Sequence, residues 1–218
     1  MKTRAALLFV CGIAAVGAGP ALSAAQPATV HYELTLKSLA FGNMGVRKMW
    51  IKGNNMRFES KSARLPLVLI RNDEGVFLVH PWAKIVAKYP AGSDRGNPKT
   101  LFPGPSGPVG IFLKAVKAKK HGTETVSKQR CDVYDYADPV TRRQSSIWVN
   151  ARTGKPVKIL LKGVKGKVDT ITATYTQYEL GAKAPDALFQ LPNGYKVRRM
   201  PESRLASKAR KPIAKLPG

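Results

Sequence analysis

The sequence predicts an α+β fold, in which a curled antiparallel sheet forms an unclosed β-barrel, or half-barrel, covered by a helical lid. Three observations predict it. About nine segments have the alternating or short apolar pattern of strands, one central segment has helical periodicity, and turns containing Gly and Asn join successive strands. A sheet of that many strands has to curl. The space beneath the helix is then either a packed core or a cavity for a lipophilic ligand.

The chain begins with the pattern of a secretory signal peptide. Basic residues precede the apolar run Ala5–Ala18, and small residues follow it up to Ala25. We therefore expect residues 1–25 to be removed on export and the mature protein to lie in the periplasm. Residues 26–200 are expected to form a single half-barrel domain.

The first half of this domain predicts strands joined by tight turns. Its first segment alternates apolar residues, such as Tyr32 and Leu34, with polar ones, which is typical of a half-buried strand. Gly53-Asn54-Asn55 predicts the turn of a hairpin. The predicted strands are Val30–Lys37, Val46–Lys52, Met56–Lys61, Leu67–Arg71, Val76–His80 and Lys84–Tyr89.

A loop rich in proline and glycine, Pro90–Gly110, leads into the segment with helical periodicity. We expect the helix to end at Gly122, with the lysines before it near the negative end of the helix dipole. One apolar stripe faces the concave side of the sheet. The residues of the stripe, spaced i, i+3, i+4 and i+7, are Val109, Phe112, Leu113 and Val116.

Strand patterns return after the helix and persist almost to residue 200. A turn at Arg152-Thr153-Gly154 joins two of them into a meander. A closing segment, Phe189–Tyr195, is expected to pack on the sheet. The predicted strands are Thr123–Tyr136, Gln144–Asn150, Val157–Gly163 and Val168–Leu180.

The charge of the chain is strongly positive, with 37 Lys and Arg against 13 Asp and Glu and a formal net charge of +24. On an exported protein this surplus favours anionic partners, either an anionic membrane surface or an envelope protein. Nucleic acid is not expected, because the chain has no recognition motif and carries an export signal. Residues 201–218 are predicted to be a basic, disordered tail. Its expected contacts with an anionic partner are Lys208, Arg210 and Lys211.

No catalytic or metal-binding constellation is visible in the sequence. The histidines fall in three separate segments without a partner at a useful spacing, and no Cys/His pair has zinc-ligand spacing. Asp132, Asp135 and Asp138 are interpreted as ion-pair partners of the many lysines. Cys131, the cysteine left after export, is interpreted as a buried, inert thiol. We therefore predict a monomer without enzymatic activity, cofactor or metal.

Four stretches occur in a set order: Met49–Gly53 with Met56–Glu59, Gly122–Val126 with Cys131–Tyr134, Trp148–Asn150 with Thr153–Lys158, and Leu188–Pro192. Together they resemble the outer-membrane lipoprotein-sorting, Lol-carrier-like superfamily over most of residues 30–197. The resemblance implies an unclosed β-barrel with a helical lid and an apolar cavity for acyl chains of lipoproteins or lipids. In that family an arginine on an early strand helps to lock the lid, and Arg57 matches it best.

The predicted function is that of a periplasmic, non-enzymatic binding or carrier protein for a lipophilic or amphiphilic ligand in cell-envelope trafficking. The alternative is a structural or regulatory envelope protein with a filled core and a basic docking surface. Under the first hypothesis, the residues expected to line the hydrophobic cavity and its lid are Trp50, Phe58, Phe112, Leu113, Val116 and Trp148.

Overall fold

The computed structural model describes residues 29–61, 66–90, 92–93, 104–139, 141–163 and 169–200. The predicted signal peptide and the predicted basic tail, with Lys208, Arg210 and Lys211, lie outside the described residues. Most of the predicted loop between Pro90 and Gly110 lies outside them as well.

The described residues form one sheet of twelve strands. Every neighbouring pair is antiparallel except β12 and β6, which are parallel. Across the sheet the order is β12-β6-β5-β4-β3-β2-β1-β11-β10-β9-β8-β7. The strands are β1 (Val30–Ser38), β2 (Gly42–Lys52), β3 (Asn55–Lys61), β4 (Leu67–Asn72), β5 (Gly75–His80), β6 (Ile85–Tyr89), β7 (Lys119–Val126), β8 (Gln129–Ala137), β9 (Gln144–Asn150), β10 (Pro156–Leu161), β11 (Ile171–Leu180) and β12 (Lys196–Arg199).

The predicted α+β class with a helical lid is wrong, because the described residues form a mainly β fold. Their sheet is not closed. The α-helix of the described residues, α1 (Val109–Ala115), has seven residues, about two turns. It begins where the apolar stripe predicted. It ends well before Gly122, because Lys117 turns into the left-handed region (φ 52°) and Lys119 already belongs to β7. A helix this short cannot cover a sheet of twelve strands.

One strand prediction is wrong, and two further features were not predicted. The segment predicted as one strand, Thr123–Tyr136, lies in two strands, β7 and β8, joined by a turn at Ser127 and Lys128, both with positive φ. The predicted closing segment contains a 3-10 helix (Asp186–Phe189), and β12 follows it as an unpredicted parallel edge strand. A second 3-10 helix, Pro81–Ala83, lies between β5 and β6.

The sheet has an inner face, which packs against α1, and an outer face. Side chains alternate between them, as the pleat requires: on β1, Tyr32 and Leu34 point inward, and His31 points outward beside Trp50. The inner face carries the main core, whose buried members come from both halves of the chain. They are Val30, Tyr32, Leu34, Met49, Met56, Phe58, Leu69, Val76, Ala87, Tyr89, Val109, Tyr136, Ile147, Val149, Ile159, Leu161, Ala173 and Tyr178.

Two smaller clusters lie on the outer face. One, around Ile70 and Phe77, is covered by residues of the C-terminal segment, Leu191 and Tyr195. The other contains Cys131, Val133, Trp148 and Val157. The prediction that Cys131 is buried is confirmed.

The antiparallel order divides the connections between the two ends of the sheet. The "β1–β2 end" carries the β1–β2, β5–β6 and β8–β9 connections. The "β2–β3 end" carries the β2–β3, β4–β5, β7–β8 and β9–β10 turns. At the second end Gly75 has φ +144°, and a Cβ there would lie 2.8 Å from the carbonyl oxygen of Tyr89, so this turn requires glycine.

Candidate functional site

The candidate site is the inner face of the sheet together with α1. On the helix Val109 is buried, and Phe112, Leu113 and Val116 pack partly buried against the main core. The ring of Phe112 meets the ring of Tyr136 edge-on, with centroids 5.3 Å apart. The helical stripe predicted from the sequence therefore does contact the sheet.

The inner face is not sealed by α1. Several large apolar side chains that pack on the main core stay partly accessible to water, and they come from strands in both halves of the sheet. Three of them lie on or directly after α1, and most of the others lie in strands of the sheet. These partly exposed inner-face residues are Leu36, Ile51, Leu67, Leu78, Phe112, Leu113, Val116, Tyr134, Ile171, Tyr175 and Met200.

A tyrosine cluster fixes the segment that enters α1. The rings of Tyr32, Tyr175 and Tyr178 lie 5.8 to 6.2 Å apart. Burial raises the pKa of Tyr178 well above its ordinary value, so the phenol keeps its proton. Its hydroxyl donates a hydrogen bond to the carbonyl oxygen of Gly107, just before the helix.

One charged residue of the inner face, Arg47, was missed by the sequence analysis. Arg47 pairs with Leu34 on β1 and with Ser60 on β3, and its side chain lies on the same face of the sheet as that of Met49. The guanidinium is half-buried, and burial lowers its pKa, although an arginine remains charged. Its side-chain hydrogen bonds run to the backbone carbonyls of Met44 and Val46, each 3.4 Å away. The sequence could have indicated this position, because Arg47 lies two residues before Met49 on one strand and residues at that spacing share a face.

The structure brings together only part of the predicted cavity lining. Phe58 lies on the inner face with the three helix residues. Trp50 and Trp148 lie on the outer face: Trp50 stacks on His31 at 4.7 Å. The indole of Trp148 donates to Glu124 over 2.7 Å, and the ammonium of Lys158 lies 3.6 Å from its ring centroid. Assignment of the two tryptophans to one cavity with the helix does not fit this placement.

Arg57, the residue expected to lock the lid, also lies on the outer face. Its Nε donates to Glu59 over 2.8 Å, and its Nη1 donates to the carbonyl oxygen of Leu188 over 3.1 Å. It helps to line a pocket of about 380 Å³ between the sheet and residues such as Leu191 and Tyr195. Arg57 therefore holds the C-terminal segment against the sheet, which corrects its predicted contact with the helix.

The acidic residues of β8 and the turn after it have structural partners. Asp132 accepts from Lys120 at 2.9 Å, which confirms its interpretation as an ion-pair partner and lowers its pKa. Asp135 lies 3.3 Å from His121 and accepts from Ser146, and Asp138 accepts from Thr141. Within the described residues no group of three His, Cys, Asp or Glu is placed to hold a metal ion.

None of the described helices is both long and apolar enough to cross a membrane.

Comparison with known proteins gives structural likeness only. No protein-family model matches the chain, and no curated protein does. Among solved structures, the chain is similar to an uncharacterized conserved protein from Thermus thermophilus. The identity is 10% and the TM-score 0.52, over 78% of this chain and 90% of that chain.

Two further similar structures are more distant in shape. LprF from Mycobacterium bovis has 13% identity and a TM-score of 0.42, over 77% of this chain and 90% of its own. The MucA/MucB complex structure from Pseudomonas aeruginosa has 15% identity and a TM-score of 0.43, over 79% of this chain and 59% of its own. Likenesses at such identities show the fold alone, and these two TM-scores support no argument about function. The likeness to the Thermus thermophilus protein supports the fold, and membership of the Lol-carrier-like superfamily stays a prediction.

Proposed function

We propose that this chain is a non-enzymatic binding or carrier protein of the cell envelope for a lipophilic or amphiphilic ligand, such as lipid or the acyl chains of a lipoprotein. The observation that carries the proposal is the incompletely covered inner face. The inner face of the twelve-stranded sheet has a seven-residue helix packed on it and keeps large apolar side chains partly in water. Exposed apolar surface of this kind is unfavourable unless something binds to it.

The inner face suits a chain-like apolar ligand. Phe112, Leu113 and Val116 of α1 and Leu36 and Ile171 of the sheet pack on the same core and offer partly exposed carbon surface. An acyl chain that covered them would gain roughly 25 cal/mol for each Å² removed from water.

Arg47 supports an amphiphile with an anionic head. Its guanidinium lies on the same face as this apolar surface, half-buried, and its side-chain hydrogen bonds are long contacts to backbone carbonyls. A phosphate or carboxylate beside it would replace those contacts with charge-assisted hydrogen bonds, which are about twice as strong as neutral ones.

The first test measures lipid binding by the full-length mature protein. Native mass spectrometry after gentle purification should show co-purified acyl species, and the delipidated protein should bind the fluorescent probe N-phenyl-1-naphthylamine. Phe112→Asp places a charge on the inner side of α1 and should abolish probe binding. Ile111→Asp is the matched control, because Ile111 lies on the same helix but is 66% exposed.

The opposite result would favour the filled-core alternative. In that case the wild-type protein carries no acyl species and binds no probe, while Phe112→Ala lowers the free energy of unfolding by about 3 to 5 kcal/mol, the usual effect of emptying a packed aromatic site. These outcomes together would overturn the proposed function.

A further inference from the structure

The β1–β2 end of the sheet exposes three large apolar side chains. Leu39 is 83% exposed and Phe41 is 81% exposed, both in the turn between β1 and β2. Trp82 is 70% exposed in the 3-10 helix between β5 and β6. Isolated exposed apolar residues are ordinary, but three of this size at one end of one molecule form a distinct feature. We call these residues the apolar tips.

The turn that carries two of the apolar tips is held by hydrogen bonds. The backbone N–H of Leu39 donates to the carbonyl oxygen of Thr170 over 2.9 Å. The N–H of Phe41 donates a hydrogen bond to the hydroxyl oxygen of Ser38 over 2.8 Å, and that hydroxyl in turn donates to the carboxylate of Asp169. Exposure of the two side chains is therefore built into an ordered turn.

Positive charge surrounds the apolar tips. The carboxylates of the described residues nearest this end are already engaged: Asp169 with Ser38, Asp138 with Thr141, and Asp135 with His121 and Ser146. Exposed basic residues at the same end of the described chain include Lys37, Lys61, Lys84, Lys119, Arg142, Lys162 and Lys196.

We propose that the β1–β2 end docks on an anionic membrane surface, with Leu39, Phe41 and Trp82 entering the boundary between headgroups and acyl chains. These exposed cations would lie at the level of the lipid phosphates. Apolar side chains at the tips with basic residues around them are what interfacial binding requires, because each group meets its own layer of the bilayer. The proposal is independent of whether the inner face carries a ligand.

The spacing of the apolar tips favours a membrane over a protein partner. The β1–β2 and β5–β6 connections are separated by the intervening strands β3 and β4, at about 4.8 Å a strand. Protruding side chains that stand apart on separate connections suit a fluid, deformable surface, whereas a protein interface has a contiguous apolar centre.

Vesicle flotation with the full-length mature protein tests this docking. Vesicles of phosphatidylcholine with phosphatidylglycerol should bind the protein at low salt, and pure phosphatidylcholine vesicles should bind it much less. The double variant Leu39→Ser with Phe41→Ser should bind the anionic vesicles at least about tenfold more weakly, because two large apolar side chains no longer enter the bilayer. Wild-type tryptophan emission should shift to shorter wavelength on binding, and Trp82→Phe should lose most of that shift.

Leu180→Ser is the matched control, because Leu180 is 48% exposed at the β2–β3 end. It should keep wild-type vesicle binding. Lys37→Glu with Lys61→Glu is a second test that leaves the tips intact and should also weaken binding. Unchanged binding in the Leu39/Phe41 variant, or no binding of the wild type to anionic vesicles, overturns the proposal. Probe binding to the inner face of the same variants shows separately whether the proposed function holds.

Discussion

His31 illustrates how the environment of one residue links structure to pH. It is buried on the outer face, and its ring stacks almost parallel on Trp50, at an angle of 6°. Burial lowers the pKa of the imidazole, because the charged form loses its water. Glu33, 3.6 Å away, pulls the pKa in the opposite direction but does not reverse the shift.

We predict that His31 makes the protein less stable in mild acid. Below the ordinary histidine pKa of 6.5 the unfolded chain takes up a proton that folded His31 resists, so the free energy of unfolding falls as the pH decreases through that value. His31→Phe keeps a flat ring on Trp50 and removes the titration. Melting temperatures at about pH 7.5 and about pH 5.5 should therefore differ less in His31→Phe than in the wild type. An equal fall in both proteins would contradict the prediction.

Residue identity alone did not decide which arginine faces the helix. Arg47 and Arg57 both lie on early strands, and each directly follows an apolar residue, Val46 or Met56. The register of the hairpin places Arg47 beside Leu34 and Arg57 beside Trp50, on opposite faces. Family resemblance pointed to Arg57, but the pleat assigns it to the outer face.

At the scale of elements, the C-terminal segment is fastened to the outer face by polar contacts. Arg57 and Asn72 donate to the successive carbonyl oxygens of Leu188 and Phe189, over 3.1 and 3.0 Å. Phe189 itself is buried. The segment thereby covers the cluster around Ile70 and brings β12 beside β6.

We expect Arg57→Ala to loosen this segment. The variant leaves the carbonyl of Leu188 and the half-buried carboxylate of Glu59 without their donor, so the free energy of unfolding should fall by about 1 to 3 kcal/mol. Urea denaturation measures the change. Lys61→Ala on the same strand is exposed and should change stability by less than about 0.5 kcal/mol. If both variants behave alike, the bond to Leu188 does not hold the segment.

The side-chain periodicity of the sequence led to two wrong predictions, one for the β7–β8 turn and one for the end of α1. The turn between β7 and β8 uses Ser127 and Lys128 with φ of 49° and 62°, and neither residue is the Gly or Asn that usually marks such a turn. The helix ends early because the lysines after it, with Lys119 as the first residue of β7, join a strand that pairs with β8. Tertiary pairing prevailed over local helical preference.

For the molecule as a whole, the basic C-terminal tail is separate from the contacts that complete the described fold. Residues 201–218 add five basic residues and one acidic residue to the surplus. Met200, the last described residue, donates its backbone N–H to the carbonyl oxygen of Lys88 over 2.9 Å and packs on the main core. The described fold thus closes with contacts that do not involve the tail.

A chain ending at Met200 should keep the melting temperature of the full mature protein. Its binding to anionic vesicles at low salt should be weaker, and high salt should reduce the difference, because the tail contributes only through charge. Differential scanning calorimetry and vesicle flotation measure the two effects. Equal vesicle binding of the two chains would remove the role predicted for Lys208, Arg210 and Lys211.

Much of the secondary structure and the chemical character of the surface can be predicted from the sequence. The alternating or short apolar patterns of β1, β3, β5 and β9 predicted strands within one or two residues, and the stripe from Val109 to Val116 predicted the start and face of α1. The excess of Lys and Arg over Asp and Glu follows directly from the composition. These properties are local, because a strand or helix repeats its side-chain direction at a fixed period.

Which faces of the elements pack together depends on strand pairing and packing across the whole fold. The sequence grouped Trp50 and Trp148 with Phe112, and the fold separates them by the thickness of the sheet. The length of α1, the number of strands and the gathering of Leu39, Phe41 and Trp82 at one end also follow from strand order and register. A period of two says that neighbours along a strand face opposite sides. Which side is inner is fixed only when distant strands pair and pack.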